Sequence, residues 1–204
     1  LFVGAAIETA AVADTFATGT EGVTLDIAPP GVLTNDTIAD GAAIITTVAL
    51  VSGSLSEPGV LSLGNNGSVM FTPTNTDFSG DVTFSYTISD DLFATSSPAT
   101  VTLSFAPVND VPVASDQSIA TQESVATSSP LSVSDIDNST FSYAVITPPT
   151  SGSVTIDSNG IFTYTPSTGF TGTDTFLWEA FDGSASSSPA TTTITVIAAP
   201  APEI

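Results

Sequence analysis

The 204-residue sequence contains no lysine, no arginine, no histidine and no cysteine, yet it carries 21 acidic residues and a formal charge of −21. Each absence removes a class of chemistry. Phosphates are neutralised by Lys and Arg, so the sequence predicts no binding to DNA or RNA and no attraction to an anionic membrane surface. Without His, Cys or Lys there is no Ser-His or Cys-His nucleophile pair, no Schiff base, no imidazole or thiolate zinc site and no P-loop. Catalysis is left with paired carboxylates, as in the glycosidase plan. The acids here sit in turn-like segments, and the chain is expected not to be an enzyme. Lack of cysteine means that core packing or metal ions, not disulfides, must hold the fold. Lysine-dependent isopeptide staples are equally excluded. Long apolar runs are missing too. Leu1 to Ala6 is apolar but is followed closely by Glu8, far short of the roughly 20 residues that cross a bilayer, so no membrane insertion is expected. That stretch has no basic leader region. The initial Leu reads as a processed mature protein or an excised fragment.

What is present is a folded composition. Apolar residues make up 41% of the chain and are supplied by Val, Ile, Leu, Phe and Ala, not by the Glu, Lys and Gln of disordered segments. Ten acids lie between Asp14 and Asp91 and nine between Asp110 and Asp182. The charge therefore coats two halves and does not form a tail. Short alternating segments rich in Thr and Ser are broken by Gly, Pro and Asn, which predicts strands and little helix. In Val82-Thr-Phe-Ser-Tyr-Thr-Ile88 the residues Val82, Phe84, Tyr86 and Ile88 share one face, as on a half-buried antiparallel strand. Trp178, Tyr86, Phe84 and Phe176 are read as core residues.

The halves repeat. Gly67-Ser-Val-Met-Phe-Thr-Pro73, Phe78-Ser-Gly80, Phe84-Ser-Tyr86 and Ser96-Ser-Pro-Ala-Thr100 return as Gly160-Ile-Phe-Thr-Tyr-Thr-Pro166, Phe170-Thr-Gly172, Phe176-Leu-Trp178 and Ser187-Ser-Pro-Ala-Thr191. Two homologous domains follow, each of about seven short strands and the size of an immunoglobulin-like antiparallel β-sandwich. The expected divisions are an apolar segment 1–11, a first sandwich 12–107, a second sandwich 108–198 and an Ala/Pro-rich tail 199–204. A short linker stiffened by Pro107 and Pro112 joins the sandwiches. Asn66-Gly67 and Asn159-Gly160 supply the positive φ of tight hairpin turns and are assigned no function.

The pattern Gly-x-Phe-Thr-Tyr-Thr-Pro, Phe-x-Gly-x-Asp-x-Phe, Asp-Gly and a closing Thr-Ile-Thr-Val, joined by Val-Asn-Asp-x-Pro-Val, resembles the bacterial cadherin-like repeats of large surface adhesins, including VCBS-type tandem domains. The first half resembles the same group through Gly31-Val-Leu-Thr-Asn-Asp36. The resemblance covers nearly all of residues 12 to 198. It implies tandem cadherin-like sandwiches, an extracellular or cell-surface location and calcium at domain junctions. Calcium takes six to eight oxygen ligands, which loops rich in Asp, Asn and carbonyl groups provide. The residues that match such an interdomain site are Glu123, Asn109, Asp110, Asp135, Asp137 and Asp182. The alternative reading is that these residues make turns and solvate loops.

The leading functional expectation is an extracellular structural or adhesive protein of a microbial surface, of the kind that builds biofilms. It would self-associate into a fibre or tandem array and meet a surface glycan or protein ligand. Leu1, Val3, Ala5 and Ile7 fall on one face of an extended chain, a candidate donor strand for a neighbouring subunit. The other reading is that this segment pairs within its own domain. Two alternatives stand beside the filament subunit: a calcium-rigidified spacer from a giant adhesin, and a carbohydrate-binding module that would need Trp178, Tyr164 and Tyr86 to face solvent. Asn35, Asn66 and Asn138 head N-glycosylation triplets.

Overall fold

The structure is a computed structural model that describes residues 8–38 and 43–200. The donor-strand candidates Leu1, Val3, Ala5 and Ile7 lie outside the described residues. The chain divides into two compact units, Leu1–Val108 and Asn109–Ile204. Among the described residues the regular structure is β throughout, apart from one 3-10 turn at Gly31–Leu33.

Unit 1 holds seven strands: β1 (Asp14–Thr20), β2 (Leu25–Ile27), β3 (Ile45–Leu50), β4 (Gly59–Leu63), β5 (Val69–Pro73), β6 (Gly80–Asp90) and β7 (Ala99–Ala106). They form a four-stranded sheet in the order β1-β7-β6-β3 and a three-stranded sheet in the order β2-β5-β4. The alternation read from residues 82–88 is the reason the sheets stack. Val82, Phe84, Tyr86 and Ile88 are completely buried, while the hydroxyl residues between them stay partly exposed. Val101, Leu103 and Phe105 of β7 meet them in one core cluster with Val69 and Phe71 of β5. Phe71 and Phe105 bring the two sheets together edge to face, with ring centroids 5.9 Å apart. Each such side chain contributes about 1.5–3 kcal/mol by leaving water.

Unit 2 repeats the plan. Its strands are β8 (Val113–Ala114), β9 (Gln117–Gln122), β10 (Thr127–Pro130), β11 (Val133–Ser134), β12 (Ser142–Thr147), β13 (Gly152–Ile156), β14 (Ile161–Pro166), β15 (Gly172–Phe181) and β16 (Ala190–Ile197). A four-stranded sheet β12-β15-β16-β9 faces a three-stranded sheet β10-β14-β13, and β8 pairs only with β11. Phe162, Tyr164, Phe176, Trp178 and Ile194 fill its core. Phe162 packs edge to face on Phe176, with centroids 5.3 Å apart.

One expectation changes in detail. The sandwiches are not wholly antiparallel, because β1 runs parallel to β7 and β9 runs parallel to β16. β1 in unit 1 and β9 in unit 2 each join the last strand of their unit on the same sheet, and the strand after each, β2 or β10, lies in the opposite sheet. A crossover of that kind permits parallel pairing, whereas a tight hairpin enforces antiparallel pairing.

The Asn-Gly turns do more than reverse the chain. Gly67 has φ +84° and Gly160 has φ +75°, a region that side chains rarely adopt. The Gly67 carbonyl accepts a hydrogen bond from the Val32 amide at 3.0 Å, and the Gly160 carbonyl accepts one from the Leu131 amide at 2.8 Å. Each turn thus clasps the segment that follows its sheet's outer strand, β2 in unit 1 and β10 in unit 2.

Candidate metal centre

The second unit begins with the linker residues Asn109 and Asp110, which meet two loops of the same unit. The Asn109 side-chain amide donates to Asp182 Oδ2 at 2.8 Å and to its neighbour's carbonyl, Asp110 O, at 2.7 Å. The Asp110 backbone amide donates to Asp137 Oδ2 at 2.8 Å. Carboxylate oxygens of Asp110 and Asp137 lie within 4.8 Å of one another. The Asn138 amide reaches Asn109 Oδ1 at 3.4 Å.

Local chemistry shapes both loops. After β11, Asp135 Oδ1 accepts the amides of Asp137 and Asn138, each at 2.8 Å. This is the self-bonded turn that Asp makes two and three residues ahead of itself. After β15, Asp182 Oδ1 accepts the amides of Ser184 and Ala185 at 2.6 and 2.7 Å. The Ala185 amide first, and then the Asn109 side chain, hold the Asp182 carboxyl below its ordinary range. Asp182 is therefore a committed anion. Asp135 Oδ2 is buried and has no hydrogen-bond partner. A buried carboxylate oxygen without a partner is costly, and a cation is one way to satisfy it. All the donors are oxygen or amide groups, and the sequence has no histidine or cysteine to offer instead. That set fits a hard cation such as calcium and not zinc or copper.

Five of the six predicted ligands, Asn109, Asp110, Asp135, Asp137 and Asp182, come together in this way. Glu123 does not. It follows β9, where its amide donates to Ile197 O at 2.8 Å at the end of β16. Asp182, by contrast, lies at the other end of that sheet, next to the start of β16. The six residues of β9 separate those ends by about 20 Å, at roughly 3.3 Å per residue. A match to a family pattern names a residue type and does not say which end of a strand the residue occupies.

Glu123 has a counterpart that sequence reading passed over. Glu21 follows β1 and donates its amide to Ala106 O at 3.0 Å, at the end of β7. Its side chain is buried, with Oε2 accepting the Val108 amide at 2.7 Å and Oε1 without a partner. The signal was available, because Thr20-Glu21 and Gln122-Glu123 hold the same place in the repeat.

The remaining candidates are placed as follows. Asn35 donates its side-chain amide to Ala13 O at 3.1 Å. Asn66 sits in the exposed β4–β5 turn and accepts from the Ser68 amide and hydroxyl. Asn138 belongs to the cluster just described. Trp178, Tyr164 and Tyr86 are completely buried, so the carbohydrate platform considered for them is overturned. Strand alternation turns these rings inward on β6, β14 and β15, Tyr86 and Tyr164 standing between Ser or Thr residues and Trp178 between Leu177 and Glu179.

A family model for the bacterial cadherin-like domain matches residues 8–107 and again residues 109–198. The chain belongs to that family. Cadherin-like repeats are adhesion-type extracellular domains, and they commonly bind calcium. No curated protein matches the sequence. Among solved structures, the two-repeat fragment EC1-2 of human mucin-like protocadherin is similar over 91% of this chain and 96% of its own, with TM-score 0.59 and 16% identity. Human CDH23 EC21-23 is similar over 93% of this chain and 69% of its own, with TM-score 0.55 and 16% identity. At such identities the cadherin-like repeats share the fold alone. The chain also aligns with an endo-fucoidan hydrolase of glycoside hydrolase family 107 at TM-score 0.39 and 15% identity. It spans 93% of its own length there and only 28% of the hydrolase. No helix among the described residues is long and apolar enough to cross a membrane.

Proposed function

We propose that this cadherin-like pair is a structural and adhesive module of a microbial surface, and that calcium stiffens the start of its second repeat. Asn109, Asp110, Asp135, Asp137 and Asp182 would hold the ion. When bound, it would supply positive charge to a carboxylate cluster that has no cation of its own. The observation that carries this reading is the convergence of two linker residues on Asp137 and Asp182 beside the unpartnered Asp135 Oδ2. Without an ion, the like charges of Asp110 and Asp137 oppose one another. With one, linker and loops become a single ligand set.

The test is thermal unfolding of the full chain with millimolar calcium against chelator. Free ligand at about 100 times its Kd stabilises the binding form by about 2.7 kcal/mol. For a domain of this size that raises the midpoint by roughly 10–20 °C. The rise should be confined to the second repeat and should shrink in Asp137→Asn. No shift, or an undiminished shift in that variant, would sink the reading.

We further propose that copies of the chain associate into a fibre. Lys and Arg are absent, so contacts between copies would rest on apolar strands and backbone hydrogen bonds, not on charge pairing. Strand donation by residues 1–7 is the specific form of that proposal.

A further inference from the structure

The first unit contains a buried corner that neither adhesion nor calcium at the linker explains. Tyr86 of β6 points its hydroxyl at five oxygen atoms: Val32 O at 2.8 Å, Asp36 Oδ1 at 2.9 Å, Asp36 Oδ2 at 3.0 Å, Asp14 Oδ2 at 3.1 Å and Val12 O at 3.2 Å. Carbonyls and ionised carboxylates only accept hydrogen bonds, and a phenol has a single hydrogen to donate. Most of these contacts would therefore set one lone pair against another. A single extra hydrogen on either carboxyl group turns one of these repulsive contacts into a bond and removes one negative charge, since a protonated carboxyl donates to the phenol oxygen.

The surroundings favour that hydrogen. Asp14 on β1 is buried. Burial is the largest influence on its carboxyl and pushes it up to about 6, with the Asp36 charge adding to the rise against the hydrogen bond from Tyr86. Asp36 is raised as well, again chiefly by burial. The titratable groups facing the pair are Tyr86 from β6 and each other, from β1 and the loop after the 3-10 turn. The sequence has no Lys, Arg or His to compensate them.

Asp36 and its neighbour Asn35 also fasten the entering chain. The Val12 amide donates to Asp36 Oδ1 at 2.7 Å, and the Asn35 side chain donates to Ala13 O at 3.1 Å. Ala10 and Thr37 exchange backbone hydrogen bonds of 2.9 and 3.0 Å. The second unit provides an internal reference. Opposite Ala190, where Tyr86 lies opposite Ala99, it has Trp178. Beside Thr192, where Asp14 lies beside Val101, it has Gln117. The Trp178 indole donates to Thr192 Oγ1 at 3.1 Å, and no acid pair is formed.

We propose that Asp14 and Asp36 share one proton over the Tyr86 hydroxyl, and that losing it loosens residues 9–13 from the loop 32–37, so that the first strand of the first repeat is held by a pH-sensitive latch. The sign follows from linkage. The folded form binds the proton more tightly than the unfolded chain, so this contribution is full below the ordinary aspartate range and declines as pH rises through about 6.

The test is carboxyl 13C NMR of the full chain in chelator from about pH 4 to about pH 8, with hydrogen exchange at the Ala10, Val12 and Thr37 amides. One aspartate of the pair should titrate about two pH units above the ordinary value. Across the same interval, protection of those three amides should fall about tenfold or more after correction for intrinsic exchange, while the second repeat is unchanged. Asp14→Asn should remove the high titration and flatten the exchange profile. Should that variant fail to fold, the titration of the unaltered chain still decides the matter. Both carboxyls titrating among the other aspartates would overturn the proposal. So would calcium abolishing the titration in place of the proton, since the corner would then be a cation site.

Discussion

Replacing Asp174 by Ala should destabilise the second repeat selectively, because one buried carboxylate satisfies donors from three segments. Asp174 Oδ1 accepts the Thr150 amide at 3.0 Å, the Thr150 hydroxyl at 3.2 Å and the Thr175 amide at 3.0 Å. Oδ2 accepts the Ser151 amide and the Tyr164 hydroxyl, each at 2.9 Å. Burial alone pushes this carboxyl up, but the Ser151 and Thr150 amides with the Tyr164 hydroxyl outweigh it and hold it below its ordinary range. The perturbation leaves the hydroxyl of the completely buried Tyr164 only its longer bond to Ser151 O at 3.3 Å, at about 1–3 kcal/mol for a poorly satisfied buried group. It also removes charge-assisted bonds to the two amides that tie the segment after β12, which water partly replaces at roughly 1 kcal/mol each. The sum is about 3–5 kcal/mol, or a fall of roughly 12–40 °C in the midpoint of a domain of about 100 residues. The assay is calorimetry of the full chain, in which the first repeat's transition serves as the reference. Tyr164→Phe removes one donor and leaves the carboxylate four others, so it should cost only about 1 kcal/mol. Because the folded carboxyl is depressed, its contribution is present above the ordinary aspartate value and is lost as pH falls through the folded one. The Asp174→Ala penalty should therefore shrink below about pH 4. A penalty under about 1 kcal/mol at neutral pH, or one smaller than that of Tyr164→Phe, would refute the reasoning.

Gly67→Ala should destabilise the first repeat by several kcal/mol, since the position has φ +84° and an added Cβ would fall on the Pro30 carbonyl, which is backbone and cannot rotate away. Denaturant titration would read it, and a loss below about 1 kcal/mol would contradict the clasp described for this turn. Deleting residues 1–7 should abolish any filaments seen by electron microscopy of the intact chain, and unaffected polymerisation would end the strand-donation proposal. In the intact chain, added salt should leave assembly unchanged or strengthen it by screening the acids, so salt-induced dissociation would count against association without charge pairing.

Much of the architecture is written in local patterns. Alternation in residues 82–88 places Phe84 and Tyr86 inside whatever partner the strand finds, because successive side chains of a strand point to opposite faces. Asn66-Gly67 and Asn159-Gly160 mark hairpins because Gly tolerates a positive φ. The Asp-rich segments at Asn109-Asp110, Asp135 to Asn138 and Asp182 identify oxygen donors by type alone. The strand and turn patterns each occur twice within one chain, and that repetition carries the two-domain reading.

Other features depend on contacts between distant residues and have no local signature. The resemblance places Glu123 in one site with Asp135, yet β9 carries it to the opposite end of the sheet from Asp182. Parallel pairing of β1 with β7 joins residues some 80 or more positions apart, and no turn motif announces it. Asp14, Asp36 and Tyr86 read singly as a strand residue, a turn acid and a core aromatic. They become a titratable corner because the strand β1, the loop after Gly31–Leu33 and the strand β6 converge on one phenol. Side-chain period and turn chemistry act over a few residues and can be read from order alone. The charge and proton state of a buried group depend on everything packed around it, and that is assembled only when the sheets close.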